Sequence, residues 1–383
     1  MHHISDQRIP ELDGLRGLAV IMVLAWHFIG CMADPSQGGW NFALYAGTIF
    51  GRTGVDLFFV LSGFLIIGIV IDNRDASNLF RTFYTRRVAR IFPAYFLLIA
   101  VYWLCFAFTG PNPAFNASHG PLIQVGTQIA FAYNWLMAFD NGAVSRGFSV
   151  TWSVAIEEQF YLVAPLVIWL TPTHLLRRVL ICGIAVAIVS RAALFTFLPQ
   201  FNLAPYILPF TRADCLCAGG LLATIWRDPR MLERFKPLAT PMTVVLILPV
   251  VALAYCIVNF DIIKHMYFWG HTLLSTFYFF VVMTVITRRP AILRLPLLRG
   301  AGSISYALYL FHPLFISLFF ILFRRPEAVT SWADFFIAVA ALLSSIAFCV
   351  ASYRYYETPI RCLGHRFSYE LNPEIKEFSA RAA

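Results

Sequence analysis

The sequence predicts an all-α fold: a polytopic integral membrane bundle of about ten transmembrane helices, with both termini cytoplasmic. Three observations lead there. Of 383 residues, 59% are apolar and only 13% charged, against roughly 45–50% and 25% in soluble domains. Ten apolar stretches are long enough to cross a bilayer. The basic residues, 29 against 20 acidic, fall almost wholly on one side of those stretches. A mean hydropathy of +0.71 excludes a soluble chain, and the 37 Phe, 16 Tyr and 9 Trp suit one that meets lipid and its interfaces. A net charge of +9 would direct a soluble protein toward nucleic acid. Here it reports topology, and no nucleic-acid partner is expected.

Leu15–Ala33 is the first span. It follows 14 polar-to-mixed residues without a cleavable leader pattern and reads as a retained signal anchor. Val55–Ile71 and Ile91–Phe108 come next, separated by a loop carrying Arg74, Arg81, Arg86, Arg87 and Arg90. Trp152–Leu170, Val179–Leu198 and Ala213–Trp226 follow, then Met242–Val258, Leu273–Ile286, Ile304–Phe323 and Phe335–Tyr355. In lipid only a helix satisfies its own backbone, so all ten are read as helices. With the N-terminus inside, 22 basic residues lie on the cytoplasmic side and six outside, and Arg191 is left within a span. That is the asymmetry expected of cytoplasmic loops.

An eleventh apolar stretch, Val125–Phe139, is short and holds Gln128 and Asn134. Were it to cross, every later basic cluster would move outside. It is therefore assigned to the outer loop Thr109–Thr151 as a re-entrant or surface-lying segment. After Arg361 the chain turns polar, and residues 362–383 are expected to be a short cytoplasmic tail. The eight cysteines lie mostly in apolar spans, where free Cys behaves as a small hydrophobe. Cys215-x-Cys217 lacks histidine partners, so no metal site is expected.

Ionisable groups inside spans are costly and are functional candidates by default. Arg16 sits at the inner mouth of the first span, and His27 lies roughly 16 Å further along at 1.5 Å per residue. An imidazole at that depth suits a general base. Asp56 opens the second span, where it could equally cap the helix. Arg86, Arg87 and Arg90 fall within one helical turn; they suit either anionic lipid or a phosphate gripped bidentately. Ser153, Glu157 and Tyr161 recur at i, i+4 and i+8 on one helix face, with Glu158 adjacent. Arg212 and Asp214 stand at the outer start of the sixth span and could form a local ion pair. Tyr306, Tyr309 and His312 lie in the ninth span, before Pro313, which frees the Tyr309 carbonyl. Phosphate-suited arginines inside, with His, Asp, Glu and Tyr from mid-membrane outward, fit an anionic cytoplasmic donor and a hydroxyl-bearing acceptor near the outer face.

Across Ile9 to Arg361 the chain resembles the membrane acyltransferase-3 family. The marks are Leu12-Asp13-Gly14-Leu15-Arg16-Gly17 followed by His27, then Gly54-Val55-Asp56 with Phe59 to Gly63, and Arg86-Arg87-x-x-Arg90-x-x-Pro93. Trp152-Ser153…Glu157…Phe160-Tyr161 and Ser305-Tyr306…Tyr309…His312-Pro313 complete them. Each is short; their order along the chain carries the likeness. The resemblance implies an O-acyltransferase domain over residues 9–361, with acetyl-CoA or another acyl-CoA as donor, reached from the cytoplasm. It implies a catalytic histidine at His27, matched by the Arg16-x10-His27 spacing, and a glutamate at Glu157. Arg86, Arg87 and Arg90, with Arg16, are expected to hold coenzyme A phosphates. Ser153, Tyr161, Arg212, Asp214, Tyr306, Tyr309 and His312 are expected to line the substrate path. Asp56 or Glu157 is expected to support His27. The acceptor would be a hydroxyl of an envelope or exported glycan, lipopolysaccharide among them, and the location the cytoplasmic (inner) membrane. Many relatives carry an outer hydrolase-like domain; this chain is expected to act alone or with a separate partner. The competing reading, a transporter or flippase of a glycan or lipid, lacks the inverted repeat and paired broken helices that would mark it.

Overall fold

The computed structural model describes residues 9–109, 121–140, 146–260 and 266–371. Arg8, Lys264, Lys376 and Arg381, parts of the loop Thr109–Thr151 and the end of the tail lie outside the described residues. The described residues are helical and contain no strand. The helices in chain order are α1 Pro10–Phe28, α2 Gly39–Thr48, α3 Gly54–Asp72, α4 Leu79–Thr109, α5 Pro121–Ile129, α6 Tyr133–Phe139, α7 Thr151–Leu170 and α8 Leu176–Phe197. They continue with α9 Ala204–Ile207, α10 Ala213–Trp226, α11 Pro229–Phe260, α12 His271–Arg288, α13 Pro296–Leu322, α14 Trp332–Ser352 and α15 Thr358–His365. All ten expected spans coincide with helices. Nine helical stretches among the described residues are long and apolar enough to cross a membrane, and α10 is a shorter apolar helix.

Local chemistry sets the ends. Pro10 sits in the first turn of α1 with Glu11 and Asp13 behind it, where a missing N–H costs nothing and acidic groups meet the positive end of the helix dipole. Ser331 caps α14 by accepting from the Asp334 N–H at 3.3 Å, and Asp334 accepts in turn from Ser331 Oγ at 2.8 Å, a reciprocal cap. The segment Val125–Phe139 is broken into α5 and α6, of nine and seven residues, with Phe131 at φ 50° near the break. Neither piece can span a hydrocarbon core that needs about 20 helical residues.

Burial ranks the helices. The apolar window holding α3 is 78% buried, against 17% for those of α8 and α11, so α3 is central and the other two face lipid. Two glycine seams bring backbones close, as small residues do in membrane bundles. A Cβ on Gly63 of α3 would stand 1.9 Å from the Leu216 carbonyl of α10, and one on Gly219 would stand 2.0 Å from the Val60 carbonyl. Between α1 and α13, a Cβ on Gly17 would meet the Leu298 carbonyl at 1.9 Å, and one on Gly302 the Asp13 carbonyl at 1.9 Å. His27 and His312 each lie ten residues beyond Gly17 and Gly302. The two helices run parallel, so the seam delivers both histidines to one depth.

Loop-to-loop contacts sort the two ends of the bundle. At one end Arg227 pairs with Asp72 at 2.6 Å, Arg177 with Asp228 at 2.5 Å and Arg294 with Glu11 at 2.5 Å. At the other, the Val329 N–H donates to the Met32 carbonyl at 3.1 Å and the Arg52 guanidinium lies over the Trp26 ring. The arginine-rich loops are thus neighbours at one end.

Candidate active site

His27 closes α1 and donates Nδ1–H to the Val23 carbonyl at 2.9 Å. His312, fully buried in α13, does the same to the Leu308 carbonyl at 3.1 Å. A carbonyl can only accept, so each Nδ1 carries a proton, and in the neutral ring Nε2 then keeps its lone pair. The two rings meet edge to face with centroids 4.7 Å apart. Nε2 of His312 is buried without a hydrogen-bond partner among the described residues. The pair is thus two basic nitrogens in one apolar setting, their tautomers set by their own helices.

Below it lies a cleft enclosing about 740 Å³ of empty space, open solvent included. Arg16, Arg87, Arg90, Glu157, Glu158, Tyr161, Ser62, Ser153, Tyr306 and Tyr309 line it, with Phe58 and Phe59. Helical phase puts Ser153, Glu157 and Tyr161 on one face of α7, as their spacing predicts. Ser62 donates to Glu157 and accepts from the Tyr161 hydroxyl at 3.1 Å. Ser153 Oγ and Tyr309 OH share a hydrogen bond of 2.6 Å, and Tyr306 OH donates to the Ile91 carbonyl at 3.2 Å. Tyr309 ends the cleft, its ring 6.0 Å from that of His312. The lining therefore runs from three arginines through tyrosines and serines to Tyr309, and the histidine pair lies just beyond that ring. Among the described residues, none of Arg16, Arg87 and Arg90 is in ion-pair contact with a carboxylate.

A second charged cluster sits apart. Arg212 donates to Asp56 at 2.6 Å, His271 donates Nδ1–H to the same Asp56 oxygen at 3.1 Å, and Arg191 pairs with Asp214 at 2.8 Å. All five are essentially fully buried, and the Arg212 guanidinium lies between the Phe59 and Tyr206 rings, 5.4 Å from each. At 14 residues, α10 is about 21 Å long at 1.5 Å per residue. It is too short to carry Arg212 and Asp214 out of a roughly 30 Å core.

A family model described as an acyltransferase domain matches residues 9–354. The chain belongs to this acyltransferase family. The peptidoglycan O-acetyltransferase OatA of Listeria monocytogenes serovar 1/2a is 29% identical over 378 residues, 93% of this chain and 56% of the relative. The O-acetyltransferase OatA of Staphylococcus aureus strain MRSA252 is 28% identical over 401 residues, 98% of this chain and 61% of the relative. The chain thus spans little more than half the length of these relatives. No solved structure matches it.

Within this member of the family, Arg16, Arg87, Arg90, Ser153, Glu157, Tyr161, Tyr306 and Tyr309 come together in one cleft, and His27 and His312 meet just beyond Tyr309. Four expected positions fall elsewhere. Arg86 turns away from the cleft: its Nε–H donates to the Phe367 carbonyl at 2.9 Å and its guanidinium covers the Tyr369 ring. One residue is about 100° of helix, so Arg86 and Arg87 leave α4 in different directions, and of the two only Arg87 lines the cleft. Arg212 and Asp214 bind not each other but Asp56 and Arg191, across helices. Asp56 does not support His27, whose Nδ1 is taken by Val23, and neither does Glu157, which holds Ser62. Asp56 also makes no helix cap. Sequence reasoning missed His271 and the roles of Ser62 and Arg191. Arg191 carried a signal, as the one basic residue stranded inside a span. His271 stands at the start of its helix and carried none.

Proposed function

We propose that this chain is a membrane-embedded O-acetyltransferase moving an acetyl group from cytoplasmic acetyl-CoA to a hydroxyl of an envelope or exported glycan. The observation that carries it is the cleft itself: at one end arginines that pair with no carboxylate among the described residues, and just beyond the other end the tethered histidine pair. A guanidinium inside an apolar bundle is costly without an anion, and guanidinium forks match phosphate bidentately. Arg16, Arg87 and Arg90 fit the phosphates of coenzyme A, with the pantetheine arm along Phe58, Tyr306 and Tyr309 toward His312. The arginine-rich end is then the cytoplasmic one and the membrane the inner one. The names of the Listeria and Staphylococcus relatives support acetyl as the group and, in the first case, a glycan as the acceptor.

His27 is half-buried and borders segments of the opposite end, so an acceptor reaches it without moving a helix. Nε2 takes the acceptor hydroxyl proton as oxygen attacks the thioester carbonyl. The C–S bond then breaks, and the departing thiolate takes that proton from His27. Ser153 and Tyr309, hydrogen-bonded to each other at the histidine end of the cleft, would be the polar groups offered to a thioester there. Membranes holding the chain should transfer radiolabel from [14C]acetyl-CoA to glycan, and His27→Ala should abolish transfer while eluting as the folded protein. Full transfer by that variant refutes the assignment. An acetyl group trapped on His27 by rapid quench would make Nε2 the nucleophile instead of the base.

A further inference from the structure

The segment after α15 has a built contact that the chemistry above leaves unused. Residues 367–371 form no helix of their own, yet they are strapped across the start of α4. Asn78 Nδ2 donates to the Ser368 carbonyl at 2.9 Å, and the Glu370 N–H donates back to Asn78 Oδ1 at 2.9 Å. The Ser77 N–H donates to the Glu370 carbonyl at 3.1 Å. Arg86 donates to the Phe367 carbonyl at 2.9 Å. The Arg86 guanidinium lies 5.0 Å from the Tyr369 ring centroid, and that of Arg81 lies 5.5 Å from the Phe367 ring centroid. The strap is no piece of the core, since Phe367 is 37% exposed and Tyr369 only half-buried. Burial holds the Tyr369 phenol above its ordinary value, and Arg86 and Arg87 pull it back. Both guanidiniums therefore act on this ring, and Arg87 is also a wall of the cleft. Arg86 spends one nitrogen on Phe367 and has no carboxylate partner among the described residues.

An aromatic ring beside a guanidinium that has no carboxylate partner among the described residues, one position before an arginine that lines the cleft, has the chemistry for a purine nucleotide: the base stacks and the phosphate is gripped. The geometry points to the strap as the nucleotide-binding rim of the donor site, with Tyr369 contacting the adenine and Arg86 the ribose 3′-phosphate of acyl-CoA. This rests on the donor reading above. It also gives Arg86 a phosphate distinct from those held by Arg87 and Arg90.

The test is equilibrium binding of three probes, coenzyme A, 3′-dephospho-coenzyme A and pantetheine, to the full chain in nanodiscs. Stacking on one base is worth about 1–3 kcal/mol, so Tyr369→Ala should weaken coenzyme A about 5- to 150-fold and leave pantetheine unchanged. Tyr369→Phe should bind all three like the wild type. Arg86→Gln should weaken coenzyme A but not the dephospho form. Tyr369→Ala that keeps coenzyme A within twofold, or that loses pantetheine by the same factor, overturns the proposal. A wild-type chain that binds coenzyme A no better than pantetheine overturns the donor reading itself. A wild type that discriminates, beside an indifferent Tyr369→Ala, overturns the strap alone.

Discussion

Gly302→Ala is a one-carbon change that should cost most of the activity. Its Cβ would stand 1.9 Å from the Asp13 carbonyl oxygen of α1. A carbon and a carbonyl oxygen approach no closer than about 3.3 Å, so α1 and α13 must part by roughly 1.4 Å. The obstacle is backbone and cannot rotate aside. Ten residues on, about 15 Å along both helices, a rigid displacement reaches the rings of His27 and His312, whose centroids are 4.7 Å apart. Misplacing catalytic groups by 1 Å costs on the order of 100-fold in rate, and overpacking a tight contact costs about 1–3 kcal/mol of stability. Acetyl transfer should therefore fall about 100-fold, with a lower unfolding midpoint in detergent. The same helix supplies the control. A Cβ on Gly300 meets no heavy atom within 4 Å, so Gly300→Ala should keep full activity and gain up to about 1 kcal/mol from helix propensity. If Gly302→Ala matches Gly300→Ala in both rate and midpoint, the glycine seam does not set the histidine pair.

Three further outcomes are expected. Arg87→Gln or Arg90→Gln removes a charge-assisted contact worth about 1.5–3 kcal/mol, so KM for acetyl-CoA should rise roughly 10- to 150-fold with the fold intact; an unchanged KM would mean the arginines serve lipid headgroups. His312→Phe keeps an aromatic ring beside His27 but removes Nε2, so kcat should drop while the donor KM holds; a change in KM alone would place His312 in binding. Arg212→Met leaves Asp56 buried and uncompensated and should destabilise by about 3–5 kcal/mol, partly recovered by adding Asp56→Asn; a midpoint unmoved by Arg212→Met would show that the pair contributes nothing to the fold.

The spans were legible because apolar runs and loop arginines are local signals. His27 was legible for the same reason, as an imidazole that apolar surroundings make conspicuous. Helical phase correctly joined Ser153, Glu157 and Tyr161. Phase alone could not divide the arginines: Arg86 and Arg90 share a face at i and i+4, as Arg87 and Arg90 do at i and i+3. Residues 367–371 decide it by taking Arg86 for themselves, some 280 positions away in the chain. Asp56 failed for a related reason. Its partners Arg212 and His271 lie 156 and 215 residues on, and no periodicity encodes a pairing across helices. Local pattern names the ionisable residues; tertiary packing alone assigns them partners.

That assignment separates two kinds of arginine in one bundle. Arg191 and Arg212 are buried as deeply as any residue here, yet each meets a carboxylate at 2.8 and 2.6 Å. Their charge is neutralised in place, and their chemistry is spent on tying α8 to α10 and α10 to α3. Arg16, Arg87 and Arg90 border an open cleft in which Glu157 and Glu158 are present but in ion-pair contact with none of them. A chain able to pair Arg212 with an aspartate from another helix could pair these as well. Without a carboxylate partner among the described residues their burial costs stability, and on the reading proposed above an entering anion offsets that cost. The role proposed for the two histidines rests on a similar observation. Each satisfies Nδ1 with a carbonyl of its own helix, and Nε2 of His312 has no hydrogen-bond partner among the described residues. Arg212 keeps Nε and Nη1 without a hydrogen-bond partner among the described residues, so its ion pair with Asp56, and not a full set of hydrogen bonds, is what separates it from the arginines of the cleft.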